Sequence, residues 1–322
     1  VTNTYGLEPK DTDGDSYINV LFSDILDEYD LGRNDTNSDL YVHGYYSSSD
    51  TLSLSEYQYS NQSDLIYLDT RPQVVYINNQ NVWINSDGDT LSRPTTLNAL
   101  TNIFTKMLFA QNKPNQAEWI REGLATMAEF GVLDGNYTLY GGTVNTPSQN
   151  QLTYIEGSLK TRSDEINAFA FHLYLYEKYG GFDILGEIAQ SDSVGIKAIS
   201  DALNALGITK TVEEIYGDYS IACFLDLPHE VDLYDGLYSI ENLDLADAPA
   251  NKNATPLNWS VSDPGPYPQR RIQPWSFHFY ANIAYSLDLQ GNPVPKSPVL
   301  DADGLFQFNG RDDSKFDVNK VM

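Results

Sequence analysis

A single cysteine, Cys223, stands in the 322 residues of this chain. That excludes an intramolecular disulfide and any metal centre built on thiolates. Cys223 lies in the apolar run Ile221 to Leu225, so a buried, inert thiol is expected. Histidine is almost as scarce. His43, His172, His229 and His278 are the whole set, and none is paired with another at ligand spacing. Basic side chains are few: 19 Lys and Arg stand against 45 Asp and Glu, for a net charge of −26. Such a surface repels nucleic acid and anionic membranes. No apolar stretch approaches the ~18 to 20 residues of a membrane span, so membrane insertion is not expected. No Gly-x-Ser-x-Gly elbow is present, and no pair of carboxylates is singled out for glycoside hydrolysis. No secretory leader is visible before the abrupt start at Val1, as in a processed, exported protein.

What is abundant points to a folded extracellular protein. Apolar residues make up 41% of the chain and aromatics 12%, with 23 Tyr, a content no disordered chain carries. The length fits two or three subdomains around sizeable cores. Sequons at Asn34, Asn61, Asn136, Asn253 and Asn258 agree with export and make a glycoprotein an expectation.

Three stretches differ in pattern. Residues 1–92 read as strands and turns, with β-rich runs at Tyr17 to Phe22, Tyr41 to Tyr46 and Asp64 to Asp69. Val74 to Ile77 and Asn81 to Ile84 flank Asn78-Asn79-Gln80, which predicts a hairpin. Residues 93–235 turn helical. Pro94 suits a first turn, and Leu97, Leu100, Phe104, Met107 and Leu108 then mark one apolar face. Pro114 ends that helix. Further helices are expected over Ala117 to Phe130, stopped by Gly131, and over Asp164 to Tyr179, stopped by Gly180-Gly181. Others are expected at Ile184 to Gln190, Ile196 to Leu206 and Val212 to Leu225. Residues 236–322 begin with a Pro- and Asn-rich connection. Short β-like runs follow at Ser276 to Tyr280, Tyr285 to Leu289, Leu305 to Phe308 and Phe316 to Val321.

Two adjacent helices carry the functional argument. The second contains Trp119-Ile120-Arg121-Glu122-Gly123-Leu124-Ala125, a Trp-x-x-Glu-Gly-x-Ala pattern. The first contains Thr101-Asn102-Ile103-Phe104-Thr105 in an apolar frame. Together they resemble the paired helices of the hyicolysin-type family of secreted gluzincin metallopeptidases. There, His-Glu-x-x-His puts two imidazoles on one helical face, the Glu between them is the general base, and a Glu on the next helix is the third zinc ligand. The likeness extends to Asp11-Thr12-Asp13-Gly14-Asp15 before the strand Ile18 to Phe22, to Gly44 to Asp50, and to Ile66 to Asp69. Downstream it includes Tyr174 to Gly181 and Glu213 to Tyr219. It covers roughly residues 10–230.

The resemblance implies an α+β, gluzincin metallopeptidase-like fold. Residues 1–92 would be its strand-rich N-terminal subdomain and 93–235 its helical subdomain with a degenerate active-site helix. Residues 236–322 would form a small C-terminal β-rich region. Thr101 and Thr105 stand where the resemblance places histidines, and Asn102 where it places the Glu. Two hydroxyls and one carboxylate make a poor zinc site, and a carboxamide cannot accept a proton from water. The expectation is therefore a pseudoenzyme with no catalytic residue and no zinc, whose degenerate site is Thr101, Asn102, Thr105 and Glu122. Glu122 would remain as a relic hydrogen-bonded to Thr101 or Thr105. Such a chain would be secreted or held at the cell surface, binding extracellular protein or carbohydrate or assembling with itself in a filament or surface layer. The alternative is an active secreted metallopeptidase with an atypical metal site.

Calcium is a separate candidate. Asp11, Asp13 and Asp15 offer carboxylates at alternate positions. The EF-hand pattern then fails, because Gly14 sits at the fourth place and Phe22 at the twelfth. Asn85 to Asp89 and Asp301 to Gly304 are similar acidic turns, and a solvated turn is the competing reading for all three.

Overall fold

The computed structural model describes residues 1–25, 42–69, 74–77, 83–85, 90–91, 94–132, 152–153, 162–225, 236–242, 285–287 and 293–295. They form a mixed α+β structure. Strands β1 (Asn19–Ser23), β2 (Gly44–Tyr46) and β3 (Leu65–Asp69) make one sheet in the order β1-β3-β2. β1 runs parallel to β3 and β2 antiparallel to it. A second sheet, β4 (Val74–Ile77), β5 (Trp83–Asn85) and β6 (Thr90–Leu91), is an antiparallel meander, with the expected hairpin between β4 and β5. The short β6 carries no run long enough for periodicity to reveal it.

Period-two alternation gives the first sheet two faces. Ile66 and Leu68 of β3 turn inward and are buried. They pack with Ile103 and Met107 of helix α2 (Pro94–Asn112), while Ile18, Tyr46, Leu100 and Phe104 close the edges of that cluster. A Cβ at Gly44 would stand 2.3 Å from the Tyr67 carbonyl oxygen and 2.7 Å from Ile103 Cδ1. Only glycine lets the strand pass this close to its neighbours.

Helix α3 (Glu118–Val132) turns back along α2. It continues past Gly131, the expected stop, to Val132. The five-residue connection is held by Gln116, whose side-chain oxygen accepts the N–H groups of Ala117 and Gly195. Helix α4 (Arg162–Tyr179) packs on the far side of α3. Ala168, Phe169, Phe171, Leu173, Tyr174 and Leu175 are all buried, so α4 is apolar around most of its circumference. Helices α5 (Phe182–Gln190), α6 (Ile196–Ala205) and α7 (Val212–Leu225) complete this half, and Cys223 is buried in α7 outside any disulfide. The four-residue helix α1 (Thr2–Tyr5), which has too few residues for any pattern, packs against α5.

Chain contacts divide the protein into residues 1–276 and 277–322. In the second unit the described residues are β7 (Tyr285–Leu287) and β8 (Pro293–Pro295), an antiparallel pair. The runs Ser276 to Tyr280, Leu305 to Phe308 and Phe316 to Val321 lie outside the described residues.

Asp64 ties three segments together. It is buried, and its carboxylate accepts bonds from the Thr12 amide at 2.8 Å, the Thr12 hydroxyl at 2.9 Å and the Gln111 side chain at 2.6 Å. Asp64→Ala leaves the buried Gln111 donor and the two partly buried Thr12 donors without their acceptor, so a loss of roughly 2–4 kcal/mol is expected. Urea denaturation of the variant measures it, and a loss under ~1 kcal/mol would mean the three donors find other partners.

Candidate functional site

Positions 101 and 105 lie one turn apart on α2, and 102 and 106 form the adjacent stripe. Thr101 and Thr105 are both buried. Their hydroxyls donate backward along their own helix, Thr101 to the Leu97 carbonyl at 2.7 Å and Thr105 to the Thr101 carbonyl at 2.8 Å. A hydroxyl has one proton to donate, and neither proton goes to Glu122. The expected Thr–Glu122 bond is thus replaced by i to i−4 bonds, the usual satisfaction of a threonine inside a helix.

Glu122 instead meets a cation. The Lys106 ammonium lies 2.7 Å from its carboxylate, with the glutamate largely shielded and the lysine partly open. Asn102 donates to Glu129 at 2.6 Å, seven residues further along α3. The stripe Asn102/Lys106 therefore faces the stripe Glu129/Glu122, as two antiparallel helices require. Lys106 and Glu129 were not among the residues singled out from sequence. A lysine directly after the second threonine, on the stripe that faces the glutamate, was the available signal.

The opposite side of α3 explains the rest of its motif. Trp119 and Gly123, four apart, receive His172 from α4. The Trp119 and His172 rings are 5.7 Å apart. A Cβ on Gly123 would lie 2.3 Å from His172 Nδ1, so the imidazole occupies the space a side chain would take. His172 is fully buried. Its Nδ1 bonds the Ala168 carbonyl at 2.7 Å, which fixes the proton on Nδ1 and leaves the buried Nε2 without a partner. Burial lowers its pKa from 6.5 to about 4. His172 is thus a neutral core residue. His43 is exposed ahead of β2, and His229 and His278 lie outside the described residues.

The acidic turn closes on itself. The Asp11 carboxylate accepts the Gly14 amide at 2.6 Å, Asp13 the Asp15 amide at 3.3 Å, and Asp15 the Tyr17 amide at 2.7 Å. Asp13 also accepts the Ser63 hydroxyl at 2.8 Å, which holds its carboxyl below the usual range. The amide bonds to Asp13 and Asp15 are Asx turns of an exposed loop. Asp87, Asp89, Asp301 and Asp303 lie outside the described residues. Among the described residues no group of three or more His, Cys, Asp or Glu is gathered closely enough to hold a metal ion. No described helix is long and apolar enough to cross a membrane.

No family model matches the chain, and no curated protein matches it significantly.

Proposed function

We propose that this chain is a non-catalytic protein on a gluzincin-like scaffold, secreted or displayed at the cell surface, that binds an extracellular partner. One observation carries the reading. At the four positions where such a peptidase would hold zinc and its general base, each side chain has a partner inside the α2–α3 pair. Lys106 supplies the positive charge beside Glu122 that a metal would otherwise supply. The arrangement of one helix on a three-stranded sheet, with a second helix returning antiparallel beside it, agrees with the resemblance of the sequence motifs. The net charge of −26 suits a soluble exported protein.

Metal analysis of the purified chain should find no stoichiometric zinc, and casein hydrolysis should be absent with or without chelator. Zinc at one per chain, or peptide cleavage that a chelator abolishes, would overturn the reading in favour of an active peptidase with an atypical site.

A further inference from the structure

The connection between β2 and β3, Ser47 to Ser63, is poor in charge. On a chain of net charge −26 it contains no Lys, Arg or His and only two carboxylates. Asp50 is buried, and Glu56 is folded back onto the Ser53 hydroxyl at 2.6 Å. The loop is otherwise Ser, Thr, Tyr, Leu, Asn and Gln, and residues 52–59 are all exposed.

Although exposed, the loop is tightly built. The Ser60 hydroxyl shares its one proton between the carbonyls of Asp50 and Leu52, and the Ser63 amide donates to the Asp50 carbonyl at 2.9 Å. Its base closes on the outer face of the sheet through a triangle of bonds. Tyr67 donates its phenol proton to Asp50 at 2.8 Å. The Asn61 carboxamide donates to both Asp50 and the Tyr67 oxygen at 2.8 Å. Burial and the Asp50 carboxylate push the Tyr67 pKa up to about 12. Tyr45 lies directly opposite Tyr67 in the sheet register, and the two rings stack at 4.5 Å and 14°. Tyr45 is nevertheless 43% exposed, and Tyr59 at the loop tip is 71% exposed, edge-on to Tyr57. Large, open aromatic rings on a pre-ordered scaffold, interspersed with hydroxyls and carboxamides, are the composition of surfaces that bind other molecules.

We infer that the Ser47–Ser63 loop and the Tyr45–Tyr67 pair form a binding surface for a neutral polysaccharide. Charge complementarity selects the occupant. The acidic chain repels polyanions. A cationic peptide would find a single exposed carboxylate in the loop, Glu56, which already accepts from Ser53, because Asp50 is buried. A second copy brings another −26. An uncharged sugar chain has what the surface accepts: C–H faces that lie on tyrosine rings and hydroxyls that bond serine and asparagine side chains. This rests on the reading of the chain as a binding protein. Zinc content and hydrolysis test that reading and sugar binding tests this one, so each can fail alone.

Native affinity electrophoresis of the full chain provides the test, in gels containing a soluble β-glucan, a mannan or hydroxyethylcellulose. At least one should retard migration. Tyr45→Ala and Tyr59→Ala should each weaken that retardation, by about tenfold in apparent affinity for a lost ring contact. Val194→Ala, at an exposed position before α6, should not. Both tyrosines are on the surface, so an unchanged melting temperature verifies that the variants fold. Retardation by none of the three, retardation indifferent to both substitutions, or a shift produced only by alginate or by oligolysine would each overturn the inference.

Discussion

Replacing Thr101 and Thr105 by His and Asn102 by Glu in one chain is expected to create a site at these positions that holds a single zinc ion, with a dissociation constant on the order of micromolar or tighter. Two imidazoles four residues apart on α2 would join Glu122 across the helix pair, and a carboxylate at 102 would stand beside the metal-bound water. Lys106 opposes this. Its ammonium already sits 2.7 Å from the Glu122 carboxylate, so an incoming ion must displace it. Adding Lys106→Ala to the three substitutions should therefore raise zinc affinity further, and that increment is specific to the geometry seen between α2 and α3. Both threonines are buried, so the larger imidazoles will strain the helix interface. Zinc should then offset the strain, because a ligand that binds only the native state raises its melting temperature. Equilibrium dialysis and a zinc-dependent thermal shift measure both effects. No uptake and no shift in the four-substitution chain would show that these positions do not converge.

Acid is expected to destabilise the protein through His172. The unfolded chain takes up a proton near pH 6.5, whereas the buried native imidazole resists protonation until about pH 4. Stability from the neutral ring is thus fully present above pH 6.5, declines as the pH falls toward 4, and levels off below it. The loss over that window is about 3 kcal/mol. Relief by local movement is blocked on two sides, since Nδ1 is bonded to Ala168 and the ring rests against Gly123 and Trp119. His172→Gln removes the titration. The variant should be less stable than the parent at pH 7 but show a shallower decline between pH 6.5 and 4 in urea denaturation. Parallel pH profiles for the two proteins would contradict the assignment, and subtracting one profile from the other cancels the many carboxylates common to both.

The two faces of α3 show what could be read from the chain and what could not. Apolar spacing together with Pro and Gly stop signals located α2 through α7 to within a few residues, although α4 is apolar around most of its circumference, and Val212–Leu225 coincides with the expected span. β-rich runs located β1 and β3 to within a few residues, and of the two only β3 buries alternate side chains, Ile66 and Leu68. Short pieces such as α1, β6 and the 3-10 turn Ser48–Thr51 are below the length at which any period can be seen. The Trp-x-x-Glu-Gly pattern was legible as a motif, but its division of labour was not. Trp119 and Gly123 serve the α4 interface, and only Glu122 looks toward α2. Partners such as Lys106 for Glu122 and Glu129 for Asn102 depend on which helices lie side by side, and spacing within one helix does not encode that. The glycine of the motif is required by packing alone, since a side chain at position 123 would be forced into the His172 imidazole.

Tyr5 has a consequence for how the molecule comes together. Its phenol reaches the carbonyl of Leu124 in α3 at 2.6 Å, a contact between residues 119 positions apart, and it is fully buried against Phe109. The polypeptide between these points, including the first sheet and all of α2, is a loop clasped by one side chain. Closing so long a loop costs conformational entropy and yields its contacts only after α2, α3 and α5 are in place. The opening residues of the chain should accordingly dock last, after the helices they touch. Once docked, they prevent the sheet from peeling away independently, so the strands and the helical layer should come apart in one step.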